Sequence, residues 1–153
     1  MAVYKAPASE EVKEMISMFI PNGVDVSEAA AAADFEKSHA ALFVNGDGNV
    51  VAACSVDLPL GAALGASLSM IPPAAAEDMV SDKALSSIAL SNLYEVMNMF
   101  SSLFMDDSTA HLKLTEVIAV EDTPELTGPC ELNTIVEVQA GAYGKGIAQF
   151  VSI

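Results

Sequence analysis

The segment Ser91-Asn92-Leu93-Tyr94-Glu95-Val96-Met97-Asn98 sets a carboxylate and a carboxamide one helical turn apart. At about 100° per residue, Ser91, Glu95, Asn98 and Ser102 share one narrow stripe. Leu90, Leu93, Val96, Met97, Phe100 and Phe104 fall on the other side. An otherwise apolar helix thus presents two polar tips to water, with small serines on either side of them. A carboxylate can pair with a cation. A carboxamide offers a donor and an acceptor in one plane and does not titrate. On residue type alone, a Glu and an Asn on an outer helix face are usually only solvated.

The elements that must position this stripe follow from pattern. Ser9 reads as an N-cap with Glu10 and Glu11 in the first turn of a helix that reaches about Ile20, where Pro21-Asn22-Gly23 stops it. A short strand is expected at Val24 to Val26. Ala40 to Val44 and Val50 to Val56 read as strands around the turn Asn45-Gly46-Asp47-Gly48-Asn49. Leu60 to Ile71 reads as a short Gly/Ala helix bounded by Pro59 and by Pro72-Pro73. Its Gly61-Ala-Ala-Leu-Gly65 run would let it pack closely in a core. Ser81 or Asp82 is expected to cap a long helix running to about Met105, broken by Asp106-Asp107-Ser108. His111 to Val120 reads as a long strand and Thr123-Pro124 to Pro129 as a loop. Leu132 to Val138 and Gly146 to Ile153 read as a closing hairpin around Gly141 and Gly144.

This order contains a weak repeat. Glu14-Met15-Ile16-Ser17-Met18-Phe19 resembles Glu95-Val96-Met97-Asn98-Met99-Phe100. Each copy precedes a strand, a glycine turn and a strand. The expected architecture is a single α+β domain over residues 1–153: two helix-plus-hairpin halves, with an antiparallel-rich sheet packed against long helices.

Composition narrows the function. Twenty-one acidic residues against six lysines and no arginine give a net charge of −15. Nucleic acid and anionic membranes need a basic face and are not expected partners. Without arginine, a guanidinium clamp on phosphate is excluded within this chain. The apolar fraction is 52% with no Trp, so Ala, Val, Leu and Met carry the packing. The uncharged stretch Leu58 to Ala76 is interrupted by prolines and falls short of the roughly 20 residues of a membrane span. No signal peptide pattern opens the chain, so a cytoplasmic protein is expected. Cys54 and Cys130, far apart in apolar runs, read as buried thiols.

Other motifs carry less. Asn45 to Asn49 begins like a calcium loop, but Val50 and Val56 occupy the positions that need Gly and Glu. Gly141-Ala-Tyr-Gly-Lys-Gly146 lacks the Ser/Thr and the glycine spacing of a P-loop and reads as a hairpin tip. His39 and His111 have no ligand-spaced partner. Met15, Met18, Met97 and Met105 follow helical spacing and read as core.

Ser91-x-x-x-Glu95-x-x-Asn98 resembles the helix signature of the CheC/CheX/FliY phosphatases of bacterial chemotaxis, and Ala84-Leu85-Ser86-Ser87-Ile88 looks like the entry to that helix in CheX-like members. The resemblance implies a pseudo-symmetric duplicated fold and hydrolysis of the phospho-aspartate on a receiver-domain protein resembling CheY. It implies that Asn98 orients an in-line water and that Glu95 pairs with the receiver's lysine. Ser91 and Ser102 would let the partner approach. Mg²⁺ would come with the receiver, and the chain itself would need no cofactor or metal. Ser17 stands where a first-copy Asn would be, which implies one centre per chain. Ser101-Ser102 replace a glycine that CheX-like proteins tend to have, and Pro124 falls later than the family's downstream proline. CheX-like relatives join sheets into dimers, so a homodimer is a further expectation. Two other readings stay open: a non-catalytic partner-binding module on the same fold, and an oligomeric structural domain with Glu95 and Asn98 buried at a self-interface.

Overall fold

A computed structural model describes residues 4–29, 37–105, 112–119 and 132–152. Six strands form one antiparallel sheet: β1 (Val24–Glu28), β2 (Lys37–Val44), β3 (Val50–Asp57), β4 (Lys113–Ala119), β5 (Leu132–Ala140) and β6 (Lys145–Ser152). The order across it is β1-β5-β6-β3-β2-β4. Exchanging β1 with β4, β2 with β5 and β3 with β6 reproduces that order read backwards. The sheet therefore carries the pseudo-twofold relation expected of a duplication. Its centre lies between β3 and β6, where Cys54 pairs with Phe150.

Helix α1 (Ser9–Ser17) packs on β1, and α4 (Ser87–Phe100) packs on β4. Equivalent helices thus sit on equivalent strands. Their burial also matches: Val12 and Ile16 are buried on α1 as Leu93 and Met97 are on α4, while Glu14 and Ser17 are exposed like Glu95 and Asn98. Between the halves lie α2 (Leu58–Ser67) and α3 (Pro73–Asp82).

The core joins both halves. Phe104 lies between Phe43 and Phe150, at ring-centroid distances of 5.5 and 5.9 Å, and Phe100 meets Phe150 at 5.6 Å. Leu93, Val96, Met97 and Phe100 all point into this cluster from α4. Each such buried side chain is worth about 1.5–3 kcal/mol, so the inward face of α4 is set by burial and the opposite face is left to water.

The two hairpins lie where they are expected. Asn45 Oδ1 accepts from the amides of Asp47 (3.0 Å) and Asn49 (3.1 Å), which makes the first turn a side-chain-closed loop. The second tip is a 3₁₀ turn, Gly141–Tyr143, closed by Ala140 N–H donating to the Gly144 carbonyl at 2.7 Å. Cys54 is fully buried, and burial pushes its thiol pKa up. Cys130, His111 and the loop with Pro124 lie outside the described residues.

Several expectations need correction. The single helix from Ser81 or Asp82 to Met105 is two helices. Pro73 opens α3, because proline at the first helical position loses no hydrogen bond. Lys83 then turns left-handed (φ 55°), and Lys83 and Ala84 donate to the Val80 and Met79 carbonyls, closing that helix. Ser86 is the cap of α4, accepting from the Ala89 amide at 3.2 Å. The last turn, Ser101–Phe104, tightens to 3₁₀. Pro59 is not a boundary but lies in the first turn of α2, which Asp57 caps by accepting from the Leu60 amide at 2.9 Å. On α1 the cap is Ala8 rather than Ser9, and Glu11 reaches back to the Ala8 amide at 3.1 Å. Of the methionines expected in the core, Met18 is 75% exposed.

Candidate functional site

The outward face of α4 carries the site. Ser91, Glu95 and Asn98 are all exposed, and so is Ser102 on the 3₁₀ turn that follows. Among the described residues, neither the Glu95 carboxylate nor the Asn98 carboxamide is held by another side chain. Both tips are thus available to a second molecule. Ser102 is less so: its hydroxyl donates to the Met99 carbonyl at 2.9 Å. Neighbouring Ser101 is buried and donates to the Asn98 carbonyl at 2.7 Å, which holds the backbone at Asn98 while leaving its side chain unengaged.

Three features of this face escape the stripe. Leu90, expected on the apolar side, is 38% exposed, and Tyr94 equally so. At roughly 200° around the helix from Ile88, Leu90 marks the border of the buried face. Ile88 is 59% exposed on the other border. The polar pair is therefore flanked by apolar side chains, a surface that suits protein contact better than a solvated helix face would.

The third feature is Asn92, which supports the site from behind. Its Nδ2 donates to the Gly65 carbonyl at 2.8 Å and to Ser69 Oγ at 2.7 Å, tying α4 to the C-terminal end of α2. The helices cross in close contact. A Cβ on Gly65 would lie 2.6 Å from the Ala89 carbonyl oxygen, so only glycine permits the crossing. The signal for Asn92 was its place in the octet beside Ser91; its partner, 27 residues away, is a product of the fold.

The remaining polar groups lie elsewhere. His39 Nδ1 is 2.8 Å from Ser38 Oγ on β2, and burial lowers its pKa. Among the described residues, no three His, Cys, Asp or Glu side chains gather as metal ligands. No described helix is long and apolar enough to cross a membrane. Lys5 pairs with Glu11, and Lys145 with Glu137 at 3.2 Å.

No protein-family model matches the chain, and no characterised protein matches its sequence. Solved structures do match its shape. A chain of the CheX–CheY–BeF3–Mg²⁺ complex from Borrelia burgdorferi superposes with TM-score 0.57 at 12% identity, covering 91% of this chain and 90% of that one. FliY from Thermotoga maritima gives 0.56 at 17% identity, covering 96% and 85%. A chain of the FliM–SpeE complex from H. pylori gives 0.60 at 9% identity, covering 94% and 80%. The chain has the CheC/CheX/FliY fold. The expected α+β architecture is the one these structures share.

Proposed function

We propose that this chain hydrolyses the phospho-aspartate of a receiver-domain protein resembling CheY. The observation that carries this reading is the pair Glu95 and Asn98: one turn apart, exposed, and without a partner among the described residues, on the second-half helix of a CheX-like fold. An acyl phosphate is already activated, and its transfer to water is limited by positioning and charge stabilisation. Asn98 holds the attacking water through its carboxamide, in line with the scissile P–O bond. Glu95 pairs with a cation on the receiver and fixes the register in which Asn98 enters. Ser91 and Ser102 leave room for the partner backbone. The Mg²⁺ that neutralises the phosphoryl oxygens arrives with the receiver. Ser17 occupies the place equivalent to Asn98 on α1, so each chain holds one centre.

The test is phosphate release from a phosphorylated receiver of the same genome. Wild type is expected to accelerate it, and Asn98→Ala to remove the acceleration while leaving binding intact. Equal rates for Asn98→Ala and wild type would sink the site assignment.

A second reading has its own support. The FliM–SpeE match shows that the same fold occurs in a chain described by its complex with a different protein. Under this reading the α4 face binds a partner without chemistry. Receiver binding with no gain in phosphate release would favour it.

A further inference from the structure

A cleft of about 370 Å³ opens between α3 and the tip of the β5–β6 hairpin. That volume is within the range of small-molecule sites. No α4 residue lines it, so it is separate from the face that carries Glu95 and Asn98.

Packing holds its walls in place. On α3, Ala76 and Met79 are buried against Ala62, Ala66 and Ala89, and Val80 and Tyr143 pack on the same cluster. Both sides of the cleft thus rest on one apolar base. Tyr143 Oη donates to the Ile71 carbonyl at 2.7 Å, which ties the hairpin tip to the turn between α2 and α3. Gly146 brings the hairpin against the start of α2, where Pro59 closes the cleft: a Cβ on Gly146 would lie 2.6 Å from the Leu60 amide nitrogen. The cleft is therefore formed before any ligand arrives.

Its charges select the ligand. Glu77 and Ser81 are one turn apart on α3, so they share a wall. Among the described residues, the Glu77 carboxylate has no hydrogen-bond or ion-pair partner. On the hairpin side, the Lys145 ammonium is already paired with Glu137 at 3.2 Å. Two carboxylates against one ammonium leave an excess negative charge here, in a chain whose net charge is −15. Pro59, Ala76 and Val80 supply apolar surface. Tyr143 has its hydroxyl engaged with Ile71, so what it offers the cleft is mainly its ring.

We propose that this cleft binds a small organic cation, a primary ammonium group on a short apolar body. An ammonium carries three donors. It donates to the Glu77 carboxylate and the Ser81 hydroxyl, within reach of the Tyr143 ring, whose π-electrons attract cations. The apolar body covers Pro59, Ala76 and Val80. An anionic ligand would have to displace Glu137 from Lys145 and would then face Glu77.

The probe is n-pentylamine, titrated into the full chain and followed by NMR chemical shifts. Pentanol and pentanoate are its neutral and anionic matches, and norleucine its zwitterionic one. Pentylamine should saturate with a Kd of about 1 mM, as expected for a ligand of so few atoms, and should shift the amides of Ser81 and Tyr143. Pentanol and pentanoate should bind at least about fivefold more weakly. Glu77→Gln should weaken pentylamine about fivefold, the upper worth of an exposed ion pair. Asp78→Asn removes a neighbouring charge that does not line the cleft, so its effect should stay under about twofold. Ala142→Leu narrows the cleft and should weaken the amine with Tm unchanged. Equal losses in Glu77→Gln and Asp78→Asn would reduce the effect to diffuse attraction by an acidic surface, and the site would be overturned. Absence of a saturable shift would overturn it as well. Tighter binding of norleucine or pentanoate than of pentylamine would place a carboxylate on Lys145 and overturn the cationic class.

Discussion

Asn92 donates to the Gly65 carbonyl at 2.8 Å, and this bond sets how α4 is rotated on α2. The buried face of α4 would tolerate a small rotation, since Leu93, Val96, Met97 and Phe100 fill a broad apolar layer. A hydrogen bond from a half-buried amide to a backbone carbonyl does not. With Gly65 against Ala89, it fixes Glu95 and Asn98 toward solvent.

Removing that bond should therefore affect both stability and function. Asn92→Ala leaves the Gly65 carbonyl without its side-chain donor, a loss of about 1–3 kcal/mol. Thermal unfolding should show a lower Tm. Any effect on turnover should appear in kcat, since Asn98 is mis-aimed, more than in binding of the receiver. An unchanged Tm would show that the bond does not hold the crossing.

Gly65→Ala attacks the same contact by volume. The new Cβ would meet the Ala89 carbonyl oxygen at 2.6 Å, against backbone that cannot swing aside. Overpacking of this kind costs about 1–3 kcal/mol, and more here if the helices must separate. Gly61→Ala is the control: its Cβ would meet only side-chain atoms, Val56 Cγ2 at 3.5 Å and Leu93 Cδ2 at 3.7 Å. Denaturant unfolding of the two variants should separate them clearly, with Gly61→Ala close to wild type.

Asp57 predicts a pH dependence. Burial raises its pKa above the ordinary 3.8, against the lowering effect of the backbone amides it accepts from. The folded chain thus holds this proton more tightly than the unfolded chain does. Its contribution to stability is full below the unfolded value and is lost as pH rises through the folded one. At neutral pH the buried carboxylate is a net cost. Asp57→Asn keeps a capping acceptor and removes the charge, so it should be at least as stable as wild type at pH 7. That advantage should shrink as pH falls toward the ordinary carboxylate range. Chemical denaturation at a series of pH values checks the sign.

Much of this was legible from local pattern. The polar stripe of α4 lies where 3.6-residue periodicity puts it, and the strand pairs around Asn45–Asn49 and Gly141–Gly144 follow from alternation and turn chemistry. The strand order was not legible, although its palindromic form accords with the two helix-plus-hairpin halves suggested by the six-residue repeat. Helix α3 was not legible, because Pro72-Pro73 reads as an interruption when it is a helix start. The exposure of Leu90 and the support from Asn92 were hidden for another reason. Both depend on where α2 crosses α4, and only the tertiary fold brings Gly65 to Ala89.

The duplication itself supports a final prediction. Glu14 and Ser17 are exposed on α1 as Glu95 and Asn98 are on α4, and α1 packs on β1 as α4 packs on β4. If a Glu and an Asn one turn apart are what the chemistry requires, Ser17→Asn should return some phosphate release to the inactive Asn98→Ala chain. Recovery should be partial. Ser17 is the last residue of a nine-residue helix, while Asn98 lies two residues inside a helix of fourteen. A side chain at a fraying end spends less time in line with its target. The first half also has no counterpart of the Asn92–Gly65 bond among the described residues. Single-turnover phosphate release from a phosphorylated receiver reads the result. Recovery above the Asn98→Ala level would tie catalysis to the pair itself. No recovery, with receiver binding by Asn98→Ala unchanged, would mean that the setting of α4 contributes what the two residues alone cannot.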